Sequence, residues 1–231
     1  MLGTAVIFLL LSCNTLEPNK YPNMVADADP FSVGTAEVEF DRPFSSKVNK
    51  VVIEAIFHPR LNAVSLEFKY QLLKYRQFWD SPARKQFAAS LELYKRDFED
   101  RKLIDNYRKT RDIYGRTKGR VEWEAFKFTK TRVANPTIEL GYRYKENTPF
   151  FATLMRGTKE ETSELDNSAT NSAQINMYFT RAQADEMAKL FDQDYLMELL
   201  KKKDSVVIDE PSAEEDAEPA PPKDPYREYG E

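Results

Sequence analysis

Alternation of apolar and polar residues is the feature that most restricts the fold of this chain, because that period buries one face of a strand. In the stretch 34–42, Ala36, Val38 and Phe40 alternate with glutamates. The stretch 48–58 is rich in β-branched residues and is followed by a proline, as is typical of a strand. Further strands are predicted at 121–128, 138–144, 149–156 and 175–179. The sequence therefore predicts a mainly antiparallel sheet of about six strands.

The segment 61–79 fits two patterns. Its apolar residues alternate as in a strand up to position 70, but they also recur at a spacing of three to four residues as far as Trp79. The longer match favours a helix. Asp80 and Pro82 then predict the start of a second helix that ends near Leu103, since an aspartate cap followed by proline is typical of a helix N-terminus. Together they predict a helical hairpin inserted after the second strand.

A C-terminal helix is predicted from Thr180 to about Leu200. Thr180 and Gln183 have the spacing of a capping box, and an apolar face follows. The fold class is therefore α+β, as a single domain over 32–203 with the helix packed across the sheet. If 61–70 is a strand instead, the alternative is a seven-stranded barrel capped by this helix, similar to a pleckstrin-homology domain.

The chain has one cysteine, Cys13, and one histidine, His58. A Cys/His zinc cluster and an intramolecular disulfide are therefore both excluded. Glycine-rich nucleotide-binding motifs and the H-E-x-x-H string are absent from the sequence. We expect no metal and no cofactor.

The N-terminus carries an apolar run from Ala5 to Leu11, which is far shorter than the roughly 20 residues that span a bilayer. It ends in Leu10-Leu11-Ser12-Cys13. This tetrapeptide resembles the lipobox of bacterial lipoprotein precursors, and the run before it is similar in style to those of spirochaetes. The resemblance implies a signal peptide over 1–12 and an acylated Cys13. The alternatives are an ordinary signal peptide and a buried N-terminal segment.

Two flexible segments are predicted to flank the domain. Residues 13–31 read as the lipidated cysteine and a proline-containing tether. Residues 204–231 contain ten acidic residues, two basic residues and five prolines, which predicts an acidic disordered tail. By resemblance to the sorting rule of enteric lipoproteins, Asn14 after the cysteine favours the outer membrane over the inner membrane.

Positive charge is concentrated in the body of the chain. The net charge is −4 for the whole chain and −8 for the tail, which leaves +4 on residues 1–203. Eleven basic and four acidic residues fall within 101–132. This stretch is interpreted as a solvated surface, with tail docking and contact with lipid headgroups as alternatives. Nucleic acid is not an expected partner of an exported protein.

Aromatic residues make up 13% of the chain, and they predict either a filled core or an apolar ligand cavity. The candidate ligand-binding residues are Phe68, Tyr75, Trp123, Tyr142 and Tyr144.

No catalytic residue is predicted. Glu122 and Glu124 share one face of a strand and form the only carboxylate pair worth testing for hydrolysis. His58 reads as a surface residue at a strand end.

Three hypotheses on function follow from these observations. The first is a non-enzymatic lipoprotein of the cell envelope, anchored in the membrane through Cys13, that binds another component or has a structural role. The second is a carrier of a lipid or another small apolar ligand. The third is a hydrolase that uses carboxylates. The sequence names neither the protein partner nor the ligand.

Overall fold

The fold is given by a computed structural model, which describes residues 23–42, 47–105, 113–124, 131–161 and 171–208, without the side chains of 204–208. The strands are β1 Phe31–Asp41, β2 Val48–His58, β3 Ala63–Tyr70, β4 Leu73–Asp80, β5 Ile113–Lys118, β6 Arg120–Glu124, β7 Arg132–Ala134, β8 Thr137–Lys145, β9 Thr148–Met155 and β10 Ile175–Phe179. The helices are α1 Ser81–Glu99, α2 Arg181–Phe191 and α3 Gln193–Ile208.

All ten strands join one antiparallel sheet in the order β5-β8-β9-β10-β1-β2-β3-β4-β6-β7. The first strand lies in the middle of the sheet, between β10 and β2. The sheet curls into a half-barrel. Contacts between the described residues divide the chain into two units, with the boundary between Leu196 and Met197. In that second unit Lys202 donates to Glu198 at 2.7 Å.

One long bent hairpin contributes strands to both edges of the sheet. Its first half is β5 paired with β8, and its second half is β6 paired with β7. Gly119 alone separates β5 from β6, and residues 135–136 separate β7 from β8. The register is unchanged from the pair Arg116–Glu139 to the pair Trp123–Arg132. One half of the hairpin therefore pairs with β9 and the other half with β4, which explains the curl. We call residues 118–120 and 135–137 the hairpin bend.

The predicted α+β class with about six strands is wrong, since the described residues form a sheet-rich fold with ten strands and three helices. The segment 61–79 is not a helix but the β3–β4 hairpin, so the inserted helical hairpin is wrong as well. Val64, Phe68, Tyr75 and Trp79 are core residues of two paired strands, and together with Leu72 in the turn they fall at spacings of three to four residues. This spacing imitated the stripe of a helix, although Leu72 is 95% exposed. A two-residue turn at Gln71 and Leu72 closes the hairpin, with φ of 49° and 70°.

The seven-stranded alternative is not the observed fold either, although it required the strand that does lie at 61–70. Strands β5 and β7 were not predicted from the sequence. Neither has a buried face that would show in the sequence: β5 has no fully buried residue, and β7 has only Ala134. The reversal of phase predicted at Phe126 and Phe128 lies outside the described residues.

The helix starts predicted from capping residues are confirmed. The Asp80 carboxylate accepts from the Ala83 amide at 2.9 Å, and Pro82 lies in the first turn of α1. Thr180 and Gln183 form the complete capping box of α2. The predicted single C-terminal helix is instead divided at Asp192 into α2 and α3, because the backbone of that residue is extended.

Helix α1 fills the concave side of the sheet. Its Phe87, Leu91 and Tyr94 are at most 1% exposed. The Phe87 ring lies edge-on to Trp79 at 5.9 Å and to Phe151 at 5.2 Å, which belong to β4 and β9. The interior between sheet and helix is therefore occupied by aromatic side chains.

Candidate functional site

Three of the five aromatic residues proposed for ligand binding lie together in the core. The rings of Phe68 and Tyr75 stack at 5.7 Å, and Tyr75 pairs across the strands with Trp123. All three side chains are at most 4% exposed. Tyr75 and Trp123 border a cavity of about 140 Å³, whereas Phe68 borders none of the four cavities described in this chain.

The other two aromatic residues lie on β8, away from the first three. Tyr142 and Tyr144 have ring centroids 6.3 Å apart. The Tyr142 hydroxyl accepts from the amide of Ile104 at 3.3 Å, and the Tyr144 hydroxyl donates to the carbonyl of Leu103 at 3.2 Å. These tyrosines hold the chain that follows α1, and neither borders one of the four cavities.

Glu122, one of the two carboxylates examined for hydrolysis, belongs to a ladder of charges on the face of the sheet away from α1. Glu122 accepts from Arg120 at 2.7 Å and lies 3.6 Å from Arg76. Arg76 also binds Glu67 at 2.6 Å. Burial is the largest influence and raises the pKa of Glu67, but the hydrogen bonds and charges of Arg76 and Lys74 together lower the net pKa. Glu124 borders the cavity of about 140 Å³.

His58 lies on the same face and is partly covered. Its Nε2 atom is 2.8 Å from the Ser65 hydroxyl, and its ring is 5.2 Å from that of Phe78. Burial is the largest influence on the imidazole and lowers its pKa, and Arg76 acts in the same direction. The imidazole is therefore part of the packing at the end of β2 rather than a fully solvated residue.

The two largest of the four cavities adjoin at the hairpin bend and share Lys118 and Asn135. We call them together the corner groove. The first holds about 570 Å³, and its lining includes Leu61, Ala63, Phe78, Asp80, Arg120 and Glu122. The second holds about 540 Å³, and its lining includes Arg116, Pro136, Thr137, Glu139, Arg156 and Thr158. Both volumes fall in the range of small-ligand sites.

The two halves of the corner groove differ in character. The first has an apolar floor, in which Leu61 is 45% exposed and the Arg120 guanidinium lies 5.9 Å from the centre of the Phe78 ring. The second is basic, with three cationic side chains and the single carboxylate of Glu139. Arg116 binds that carboxylate at 3.1 Å. The arrangement suits an anionic ligand that also carries an apolar part.

Gly119 at the bend is required by packing rather than by the groove. A Cβ atom added there would lie 2.7 Å from Cδ1 of Ile138, a buried residue of β8. The glycine lets the two halves of the bent hairpin cross closely over the core. Asn135 is likewise engaged, because its amide donates to both oxygens of Glu161 at 2.8 and 2.7 Å.

Sequence reasoning did not identify the corner groove. The available signal was the excess of positive charge over 101–132, which includes Arg116, Lys118 and Arg120. Arg156 and Leu61 come from distant parts of the chain. They reach the groove only because β9 and the β2–β3 turn end beside the hairpin bend.

A second polar cluster surrounds Asp41, the last residue of β1. Lys145 donates to its carboxylate at 2.6 Å, and Asn176 and Tyr178 donate at 2.9 Å each. Burial is the largest influence and raises the pKa of Asp41, but the three donors together lower it below its ordinary value of 3.8. The ionised carboxylate therefore stabilises the folded state above pH 3.8, and this contribution is lost as the pH falls through the lower folded pKa.

We expect Asp41→Asn to lower the free energy of unfolding by about 2 kcal/mol at neutral pH, because three donors lose a charged acceptor. The difference from the parent protein should narrow as the pH falls below 3.8. Urea unfolding at neutral and acidic pH measures both effects. Glu37→Gln is the control. Glu37 is exposed, and its ion pair with Lys50, at 3.6 Å, is a weak surface pair. An equal difference at both pH values would contradict the assignment.

The described residues contain neither a candidate metal site nor a candidate membrane-spanning helix. They contain no group of three His, Cys, Asp or Glu side chains arranged to hold a metal ion. None of the helices in the described ranges has the length and apolar character needed to cross a membrane.

Comparison with known proteins gives one match. A family model described as an uncharacterised Treponema protein matches residues 30–198. The matched range begins one residue before β1 and ends within α3. No curated protein and no solved structure matches the chain.

Proposed function

Since the chain belongs to the family of uncharacterised Treponema proteins, we propose that it is a lipid-anchored envelope protein whose folded domain binds another component through its surface. The family match is consistent with the spirochaete style of the N-terminus. Cys13, the proposed site of acylation, precedes both the matched range and the described residues.

The observation that carries the proposal is that the last part of the predicted tether is attached to one end of the sheet. The Val25 amide donates to the Pro59 carbonyl at 3.0 Å. Arg60 binds Asp27 at 2.6 Å and Asp29 at 3.1 Å. The folded domain therefore begins to hold the chain at Val25. Twelve residues from Cys13 to that point reach about 40 Å at most, so an acylated Cys13 would keep the domain near its membrane.

The filled interior supports binding at the surface. An apolar ligand enclosed between sheet and helices would compete with Phe87, Leu91 and Tyr94, which already occupy that space. The Glu122 carboxylate is bound by arginines, and the His58 ring lies against that of Phe78. We therefore place the binding surface at the corner groove and propose no enzymatic activity.

The proposed location of the protein in the cell envelope follows from the lipid anchor. An acylated Cys13 followed by Asn14 supports the outer membrane over the inner membrane, by the same resemblance on which the lipobox rests. The proposed contacts are thus the membrane, through the lipid, and a ligand or protein that reaches the surface of the domain. Nucleic acid is not among them.

The test is the intact mass and detergent-phase partitioning of the protein from its native membrane, beside Cys13→Ala made in the same way. We expect loss of residues 1–12, added acyl mass on Cys13 and partitioning into detergent, and we expect the variant to lose both the acyl mass and the partitioning. An unmodified thiol in the aqueous phase would overturn the proposal.

A further inference from the structure

The corner groove lies at the same end of the sheet as the attachment of the tether. Register shows this, because Phe31 at the start of β1 pairs with Phe57, and the neighbouring His58 pairs with Ala63 at the start of β3. Ala63 in turn pairs with Asp80, and both line the groove. The end of the domain nearest to Cys13 along the chain is therefore the end that carries the groove.

The basic half of the groove carries cationic charge that nearby carboxylates do not neutralise. Lys118 donates to the Thr137 hydroxyl at 2.8 Å. Within the described ranges no carboxylate lies at ion-pair distance from Lys118 or Arg156, whereas Arg116 is bound by Glu139. The Thr137 hydroxyl accepts from Lys118 and keeps its own hydrogen for another acceptor. A phosphate group offers the acceptor oxygens that such a set of donors binds.

The apolar half of the corner groove requires that the ligand also carry an apolar segment. Leu61 is 45% exposed, although the buried Ala63 is only two residues away. Phe78 forms the floor beside it, and Arg120 lies over the ring. A ligand that fills both halves therefore combines a phosphate with an adjoining apolar segment. Glycerophospholipids have this composition at the surface of a bilayer.

We propose that the corner groove binds the phosphate-bearing headgroup of anionic phospholipids in the membrane that anchors the protein. Lys118 and Arg156 contact the phosphate, and Leu61 and Phe78 lie against the glycerol and the first methylenes. This inference rests on the proposed anchoring at Cys13, because the anchor sets which end of the domain faces the bilayer. It adds a second, weaker attachment that fixes the orientation of the domain.

The experiment measures vesicle binding by the full chain carrying Cys13→Ala, so that no acyl group contributes. Vesicles of phosphatidylcholine with phosphatidylglycerol are compared with vesicles of phosphatidylcholine alone by co-sedimentation. We expect binding to the anionic vesicles only. Lys118→Gln combined with Arg156→Gln should weaken it about 30-fold, since each cation near an anionic surface contributes roughly a fivefold change.

The matched control also removes two positive charges, through Lys50→Gln combined with Lys69→Gln. Both residues are exposed and lie toward the opposite end of the sheet, on β2 and β3. We expect this control to bind nearly as well as the parent. Equal losses in the two double variants would overturn the inference, because the net charge of the protein would then explain binding. Equal binding to both kinds of vesicle would overturn it as well.

Soluble glycerol phosphate distinguishes a bilayer from a free phosphate ester. We expect it to compete weakly with the anionic vesicles and to shift the tryptophan fluorescence of the protein little. Tight binding of the soluble ester without vesicle binding would overturn the membrane assignment. Failure of acylation at Cys13 would leave these measurements unaffected, so the two proposals fail separately.

Discussion

Phe87→Ala is expected to lower the free energy of unfolding by about 4 kcal/mol, the largest effect of any single substitution proposed for this protein. The Phe87 side chain is 0% exposed. Besides its contacts with Trp79 and Phe151, it lies edge-on to Phe179 at 6.0 Å and to Phe191 at 5.1 Å. One ring thus joins α1 to α2 and to three strands.

The large effect has two sources. Alanine removes apolar area from the centre of the core, and the four neighbouring rings cannot all move inward to close the space. The edge-on geometry contributes further stabilisation beyond burial, because the positive edge of one ring meets the negative face of another. Phe87→Leu should have a smaller effect, since it keeps most of the volume.

Urea unfolding followed by tryptophan fluorescence measures the change, since Trp79 lies against the substituted residue. Glu92→Ala on the same helix is the control. Glu92 is exposed and its pair with Lys95 is a surface ion pair, so a change below about 1 kcal/mol is expected. A loss of less than about 1 kcal/mol for Phe87→Ala would show that α1 does not hold the core together.

Arg84→Ala is expected to lower the free energy of unfolding by about 3 kcal/mol. Arg84 is 3% exposed on the first turns of α1. Its guanidinium donates to the side chains of Asn62 at 3.1 Å and Gln193 at 2.6 Å, and it lies 5.9 Å from the centre of the Phe57 ring. Burial lowers its pKa to about 10, so the group stays charged at neutral pH.

This arginine connects three separate parts of the chain: α1, the turn between β2 and β3, and the start of α3. Truncation leaves the half-buried side-chain oxygens of Asn62 and Gln193 without their donor, which adds a partial desolvation cost to the lost packing. Its Nε atom has no hydrogen-bond partner among the described residues. The guanidinium therefore stabilises the fold by binding Asn62 and Gln193 at the same time, while its Nε–H group remains unbonded among the described residues.

Arg84→Lys tests this geometry. A single ammonium group does not reproduce the planar fork, so we expect Arg84→Lys to recover less than half of the loss. Lys85→Ala, at the neighbouring exposed position, is the control and should change stability by less than about 0.5 kcal/mol. Full rescue by lysine would mean that the positive charge, and not the shape of the group, is what matters.

The sequence predicted features that depend on neighbouring residues along the chain. Asp80 and Thr180 mark helix starts because a cap contacts residues two or three positions away. The strands at 34–42 and 48–58 were identified because each has an exposed face, with Glu37 and Glu54 pointing away from the core.

It failed where burial depended on distant partners. The 3–4 spacing over 61–79 includes Leu72, which is 95% exposed in the β3–β4 turn, and only the pairing of the two strands distinguishes this spacing from the stripe of a helix. The corner groove was missed for the same reason. Lys118 and Arg156 are 38 positions apart in the sequence, and they come together only because β5 and β9 both pair with β8.

The central position of β1 affects the order in which the sheet can be completed. Glu39 of β1 pairs with Tyr178 of β10, so the first strand remains without one neighbour until nearly the whole domain has been synthesised. Such distant pairing slows folding, since a long loop must close before its contacts form. For a chain that crosses a membrane before folding, this delay would keep it extended during export. A chain that stops before Ile175 would leave β1 and β9 with free edges, where aggregation would begin.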